Sequence, residues 1–277
     1  MLLSPARAFS HEKLGAQQAA IADYTESLRL DPDNANAYHN RGSSYERLGQ
    51  YEAAAADFSL ALQIDPFNSS SHNSRGLVLD KLRQYDGALA DFSAAIGREP
   101  SNPIFYHNRG YCHRNLQQFE AAIEDYTTSL SLNPSNATAF NNRGFAARKL
   151  SRYHDAIADY TKSLALDPAN AKTYNNRAYS YAAIQEYKAA LADYSAAIEL
   201  DLSNGHAYHN RGILFDKIGE LGRAVADYTR TLELDPLNAA AYYNRGSSLR
   251  KLGREDEAAR DVSRALALKN SKRDKFE

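Results

Sequence analysis

Residues 137–170 read ATAFNNRGFAARKLSRYHDAIADYTKSLALDPAN, and residues 171–204 read AKTYNNRAYSYAAIQEYKAALADYSAAIELDLSN. The two stretches align without a gap, sharing Asn-Asn-Arg near the start and Ala-Asp-Tyr further on. The arginine recurs along the chain at a step of 34 residues, at Arg7, Arg41, Arg75, Arg109, Arg143, Arg177, Arg211 and Arg245. A fixed period of this length is the signature of a repeat architecture.

The period divides the chain into eight repeats and a short polar tail at 271–277. The repeats are 1–34, 35–68, 69–102, 103–136, 137–170, 171–204, 205–238 and 239–270. Repeat positions are counted from the first residue of each repeat. Because stacked repeats bury one continuous apolar core, we predict a single array over residues 1–270.

Each repeat contains two amphipathic helix patterns. Position 20 is alanine in every repeat, position 24 is mostly aromatic, and position 27 is small, which places all three on one helix face. Position 8 is Gly or Ala throughout. A glycine inside a helix costs about 1 kcal/mol relative to alanine, so its recurrence predicts a close approach of the two helices.

The boundaries between the helices are equally regular. Every junction between repeats ends in asparagine, a favoured N-cap residue, and six of the seven junctions carry a proline two residues earlier. At the last such position, Asn270 replaces the proline. In repeat 1, Ser4 and Pro5 suggest a first helix that begins late. Gly15, Gly49, Gly219 and Gly253 mark the turn inside four repeats.

Composition excludes several function classes. The chain carries 33 Lys plus Arg against 34 Asp plus Glu, a balance that argues against general nucleic-acid binding. The single cysteine cannot form an internal disulfide or a multi-thiolate metal site. No apolar run approaches the roughly 20 residues that span a bilayer. We therefore expect a cytoplasmic protein without membrane insertion.

The pattern Ala-Tyr-x-Asn-Arg-Gly, followed by Ala-x-x-Asp-Tyr-x-x-x-Leu-x-Leu-Asp-Pro-x-Asn, resembles the tetratricopeptide repeat (TPR). The resemblance covers nearly the whole chain. It implies an all-α, right-handed superhelical solenoid of antiparallel helix hairpins, whose first helices line a concave groove. It also implies a non-catalytic protein-interaction scaffold without a cofactor, which binds a protein or peptide partner.

Arginine at position 7 and aspartate at position 23 occur together in all eight repeats. The two residues would face each other if the chain reverses near position 16. This recurrence favours structural ion pairs over an anion-binding ladder, each contributing about 0–1 kcal/mol if exposed. The pairs are Arg7/Asp23, Arg41/Asp57, Arg75/Asp91, Arg109/Asp125, Arg143/Asp159, Arg177/Asp193, Arg211/Asp227 and Arg245/Asp261.

Residues of the first helices at positions 6 and 9 form the candidate groove. Asparagine at position 6 offers a donor and an acceptor to an extended peptide backbone, although it could instead bond only neighbouring repeats. Apolar residues at position 9 would anchor the partner, and basic residues beside them favour an acidic segment. The predicted groove residues are Asn108, Tyr111, Asn142, Phe145, Asn176, Tyr179, Asn210 and Ile213, with a basic rim of Arg114, Arg148, Lys149 and Lys172.

Two other residue groups suggest chemistry but favour simpler interpretations. Cys112 precedes His113, yet its position holds small or apolar residues in other repeats, which predicts a packing role. His39, His107 and His209 share position 5, and His206 lies one turn before His209. No third metal ligand is apparent, so we interpret these histidines as solvated or in contact with a peptide.

Several alternatives remain open at this stage. A cochaperone clamp for a C-terminal carboxylate needs basic residues in a third repeat, where Ala240 and Asn244 stand, so the clamp is incomplete. A structural part of a large assembly, such as a cilium, and end-to-end self-association through the terminal repeats are both compatible with the sequence. No catalytic constellation supports an enzyme.

Overall fold

The computed structural model describes the backbone of residues 16–273 and the side chains of 16–270. Within this part, fifteen α-helices and no strands are present: α1 Gln17–Leu30, α2 Ala35–Arg47, α3 Tyr51–Ile64, α4 Ser69–Lys81, α5 Tyr85–Arg98, α6 Pro103–Asn115, α7 Phe119–Leu132, α8 Ala137–Lys149, α9 Tyr153–Leu166, α10 Ala171–Ala183, α11 Tyr187–Leu200, α12 Gly205–Lys217, α13 Leu221–Leu234, α14 Ala239–Lys251 and α15 Glu255–Arg273. The expected first helix of repeat 1, with Ser4, Pro5 and Arg7, lies outside the described residues.

The helix bounds repeat with the sequence period. Apart from α15, second helices begin at position 17 and end at position 30, before the Asp/Asn-Pro or equivalent turn. Helix α15 continues to Arg273, past the expected end of repeat 8 at 270. The absence of a proline at Asn270 accounts for this, because no residue there removes a backbone donor or blocks the helix sterically.

The predicted asparagine N-caps are confirmed. At each of the seven junctions, the asparagine Oδ1 accepts a hydrogen bond from a backbone N–H two or three residues later, at 2.9 to 3.1 Å. Each bond satisfies a donor that has no partner within the helix. The capping asparagines are Asn34, Asn68, Asn102, Asn136, Asn170, Asn204 and Asn238.

The chain divides after Ala146 into two compact units, here called the N-terminal unit and the C-terminal unit. In each, consecutive helices pack against each other along the chain. The N-terminal unit buries position-20 alanines beside aromatic rings, as with Ala88, Phe92 and Cys112, all fully buried. The C-terminal unit does the same with Ala190 and Tyr194, beside Ala178 and Leu214.

Position-8 glycines lie close to the second helix, as the sequence predicts, and those at 42, 76, 110 and 212 lie against its position-24 aromatic ring. A Cβ added at Gly76 would lie 2.7 Å from Phe92 Cε1, and one added at Gly212 would lie 2.9 Å from Tyr228 Cε1. Such distances are shorter than ordinary van der Waals contact. The missing Cβ therefore allows the two helices of a hairpin to approach closely.

In repeats 2 to 8, the turn inside the hairpin adopts the left-handed backbone conformation at position 15, whether or not the residue is glycine. Gly49, Gly219 and Gly253 have φ of 73°, 85° and 76°. Arg83, Gln117, Ser151 and Gln185 adopt the same region, with φ between 58° and 65°. The next N–H bonds back to the carbonyl five residues earlier, as in Arg152 N to Ala147 O at 2.9 Å, which closes a Schellman-type cap.

Two substitutions in the C-terminal unit test this turn. We expect Ser151→Gly to raise the free energy of unfolding by about 0.5–1 kcal/mol, because glycine enters the left-handed region without steric cost. We expect Gly219→Ala to lower it by about 1 kcal/mol. No atom lies within 4 Å of the added methyl group at Gly219, so the cost is conformational. Urea denaturation measures both, and equal effects of the same sign would contradict the explanation.

Candidate functional site

The predicted groove residues of the C-terminal unit lie on α10 and α12. Asn176 and Tyr179 on α10 are one turn apart, as are Asn210 and Ile213 on α12. These two helices contact each other directly. Tyr179 and Ile213 are 44% and 43% exposed, so each presents an apolar side chain to solvent.

A basic cavity of about 390 Å³ opens beside these residues. Its lining combines two cationic side chains, one histidine, four asparagines and one tyrosine, with no carboxylate: Arg148, Lys172, His206, Asn175, Asn176, Asn204, Asn210 and Tyr179. The Arg148 guanidinium lies 4.8 Å from the Tyr179 ring centroid, close enough for a cation–π interaction. The cavity therefore offers positive charge and amide hydrogen-bonding groups.

An apolar cavity of about 230 Å³ adjoins it, and Tyr179 and Asn210 line both. The remaining lining is mostly aromatic and aliphatic: Ala182, Ala183, Tyr187, Tyr194, Ile213, Leu214 and Lys217. Lys217 Nζ lies 5.0 Å from the Tyr187 ring centroid. Burial raises the pKa of the Tyr194 hydroxyl, so this tyrosine stays neutral at physiological pH. This cavity is suited to an apolar side chain.

In the N-terminal unit, the side chains predicted to line the groove are bonded to, or in contact with, neighbouring side chains. Asn142 is buried, and its Oδ1 accepts a hydrogen bond from Arg114 Nη1 at 2.9 Å. Asn108 Nδ2 donates to Asn73 Oδ1 at 2.8 Å. Arg114, expected at the border of the apolar strip, instead lies across it, 4.2 Å from the Tyr111 ring centroid and 5.3 Å from that of Phe145.

Only some residues of the basic rim predicted from the sequence line a cavity. Arg148 and Lys172 line the basic cavity, whereas Lys149 is exposed at the end of α8 and lines neither cavity. Asn175, which the sequence analysis did not single out, also lines the basic cavity, as does His206, which that analysis placed among histidines that are solvated or in contact with a peptide. His206 shares position 2 with Lys172, so the repeat register itself could have indicated it.

The position-7 arginines pair with position-23 aspartates of the same repeat at 2.7 to 2.8 Å. The pairs are Arg41–Asp57, Arg75–Asp91, Arg109–Asp125, Arg177–Asp193, Arg211–Asp227 and Arg245–Asp261. Arg7 lies outside the described residues; Arg143 belongs to the N-terminal unit and Asp159 to the C-terminal unit. The aspartate side chains are at most 9% exposed, so the energy of about 0–1 kcal/mol given for exposed pairs does not apply to them.

Each of these arginines also donates to a hydroxyl of the preceding repeat, which the sequence analysis did not anticipate. Arg177 Nη1 reaches Thr161 Oγ1 at 3.0 Å, and Arg143 Nη1 reaches Thr127 Oγ1 at the same distance. Position 25 is Ser or Thr in all eight repeats, a signal available in the sequence. The arginine therefore connects the two helices of its own hairpin and the hairpin before it.

The position-5 histidines, interpreted from the sequence as solvated or in contact with a peptide, pack against the second helix of their own repeats. All three rings are only partly exposed and pack near the aromatic ring of position 24: His39 with Phe58, His107 with Tyr126 and His209 with Tyr228, at centroid distances of 5.3 to 5.6 Å. Burial lowers the pKa of His107 and His209. Hydrophobic packing favours their neutral form, because the interior solvates an imidazolium poorly.

Cys112 has the packing role that the sequence predicts. It is fully buried against Ala88 and Phe92, and burial raises the pKa of its thiol to about 12. A thiol that stays protonated at neutral pH is a poor nucleophile. Among residues 16–270, no group of three or more His, Cys, Asp or Glu side chains could hold a metal ion.

No helix in the described part of the chain combines the length and apolarity needed to cross a bilayer. No curated protein matches the chain. Solved structures match it: the C-terminal part of a TPR repeat-containing protein from Cytophaga hutchinsonii has a TM-score of 0.71 and 22% identity, with 87% of this chain and 99% of that fragment covered. MamA has a TM-score of 0.57 and 27% identity over 60% of this chain and 96% of its own.

YrrB, described as a TPR protein with an unusual peptide-binding site, has a TM-score of 0.60 and 20% identity over 68% of this chain and 97% of its own. Family models of the tetratricopeptide repeat match residues 35–68, 103–136, 137–170, 171–204 and 209–272, and a TPR repeat model matches 13–49. Four of these matches, 35–68, 103–136, 137–170 and 171–204, coincide with single 34-residue repeats and with single helix hairpins of the structure. The chain belongs to the tetratricopeptide repeat family and has the all-α TPR solenoid fold.

Proposed function

We propose that the protein is a non-catalytic interaction scaffold that binds an extended segment of a partner protein along its first helices. One observation carries the proposal. All four groove residues predicted for the C-terminal unit line an open cavity: Asn176 the basic one, Ile213 the apolar one, and Tyr179 and Asn210 both.

The chemistry of these cavities suits a peptide. Asparagine amides both donate and accept hydrogen bonds, which matches the alternating groups of an extended backbone. The exposed Tyr179 and Ile213 supply apolar anchors, the kind of residue that carries much of the energy in protein interfaces. The same fold supports a peptide-binding site in YrrB. We place this activity in the cytoplasm as part of the proposal.

A random peptide library displayed on phage and selected against the full chain tests the proposal. We expect the Tyr179→Ala/Ile213→Ala double variant to bind selected peptides at least tenfold more weakly, because both anchors are lost. Thermal melting should remain close to that of the parent, since both side chains are nearly half exposed.

The matched control is Leu166→Ala/Leu200→Ala, which removes two side chains of similar exposure, 45% and 46%, that line neither cavity. This control should keep parental affinity. Selected peptides that bind the Tyr179→Ala/Ile213→Ala variant as tightly as the parent would remove the proposed site. A library that yields no specific peptide would argue against the function itself.

A further inference from the structure

The charge of the basic cavity stands out against the composition of the chain. The whole chain is nearly neutral, with 33 basic and 34 acidic residues. The cavity nevertheless brings together the cationic side chains of Arg148 and Lys172 without a carboxylate in its lining. Local positive potential of this kind favours a negatively charged group and suppresses cationic partners.

The groups in this cavity are arranged to receive a peptide carrying such a charge. Lys172 is exposed, so its ammonium is available to a ligand. The Arg148 guanidinium lies over the Tyr179 ring, which limits the freedom that binding would otherwise remove. Asn176 and Asn210 line the same cavity with side-chain amides that can donate to a carboxylate or accept from a peptide N–H.

The adjoining apolar cavity specifies a second feature of the ligand. At about 230 Å³ it is smaller than the roughly 300–1,000 Å³ of typical small-molecule sites, and its walls are largely aromatic and aliphatic. Because Tyr179 and Asn210 line both cavities, one ligand can enter the two together. In an extended chain, side chains two residues apart point to the same side and lie about 7 Å from each other.

We propose that the C-terminal unit recognises an extended peptide in which an acidic and an aliphatic side chain are separated by one residue. The carboxylate enters the basic cavity and the aliphatic side chain enters the apolar one, with Tyr179 and Asn210 between them. This inference rests on the proposed function, since it names the class of segment that the scaffold binds.

The inference is tested by measuring the affinity of labelled synthetic peptides for the full chain by fluorescence anisotropy. The probe peptides are capped at both ends and contain glutamate and leucine separated by one serine, in both orders. The comparison peptides replace the glutamate with glutamine or place glutamate and leucine next to each other. We expect at least one order of the spaced peptide to bind at least tenfold more tightly than its glutamine and adjacent counterparts, and its affinity to fall with added salt.

Variants of two lysines test whether the glutamate of the peptide binds in the basic cavity. Lys172→Gln should weaken binding of the spaced glutamate peptide about three- to tenfold and leave the glutamine peptide nearly unchanged, because the lost interaction needs both charges. Lys188→Gln is the matched control, since Lys188 is exposed on α11 and lines neither cavity. It should behave as the parent.

The outcomes separate this inference from the proposed function. Equal binding of glutamate and glutamine peptides, or of spaced and adjacent ones, overturns the inference and leaves groove binding intact. Free glutamate that competes as well as the peptide also overturns it, since the cavity would then bind a small anion. If no probe peptide binds while library peptides still depend on Tyr179 and Ile213, the inference fails and the proposed function stands.

Discussion

Gly76→Val should lower the free energy of unfolding by about 3 kcal/mol, because the new side chain has no room. A Cβ at residue 76 would already lie 2.7 Å from Phe92 Cε1, and the two γ-carbons of valine add to this overlap. Phe92 is fully buried beside Ala88 and Cys112, so its ring cannot move into solvent to relieve the contact. The two helices of the hairpin must therefore separate.

The matched control is Gly97→Val in α5. Gly97 is also within a helix, but no atom lies within 4 Å of an added Cβ. The same substitution there should change stability by no more than about 0.5 kcal/mol, the difference in helix propensity. Urea denaturation followed by far-ultraviolet circular dichroism compares the two. Similar losses at both positions would show that backbone propensity, rather than contact with Phe92, explains the glycine at position 8.

Asp193→Ala should lower the free energy of unfolding by about 2–3 kcal/mol, because it leaves a largely buried guanidinium without its carboxylate. Arg177 Nε and Nη2 donate to the two carboxylate oxygens of Asp193 at 2.7 and 2.8 Å. The hydrogen bond with Asp193 raises the pKa of Arg177, so the arginine stays charged. The partial exposure of Arg177 and its bond to Thr161 keep the expected loss below that of a fully buried pair.

Two further variants separate the loss of the pair from the cost of an unpaired charge. Arg177→Met/Asp193→Ala should recover part of the stability, because it removes the charge that Asp193→Ala strands. Glu233→Ala, which breaks the exposed pair with Arg230, should produce no measurable change. If the double variant is less stable than Asp193→Ala alone, the unpaired charge is not the source of the loss. Chemical denaturation of all three variants provides the measurement.

The Arg/Asp recurrence illustrates what a periodic sequence can predict. Arg177 and Asp193 are sixteen residues apart in a helix hairpin whose register the sequence specifies, so their proximity follows from the period. Their burial does not follow, because it depends on how neighbouring hairpins cover the carboxylate. The bond from Arg177 to Thr161 was missed for a different reason: the hydroxyl recurs in the sequence, but only the stacking of hairpins brings it to the arginine.

The left-handed turns likewise combine features that the sequence predicts with features that only the structure shows. Gly49 and Gly219 mark their turns by residue type, whereas Ser151 and Gln185 adopt the same conformation without that signal. At these positions the flanking helices and the cap hydrogen bond impose the backbone geometry against local preference.

The sequence by itself determined the repeat period, the helix hairpins, the asparagine caps and the close approach at position 8, because these depend on residues a few positions apart or on facing residues of one hairpin. Only the tertiary structure decided that Asn142 is buried beneath Arg114 and that Asn176 and Asn210 line open cavities. All three asparagines share one repeat position. Their surroundings differ because different side chains from neighbouring helices surround each asparagine. These neighbours decide whether the side-chain amide is bonded within the protein or lines an open cavity.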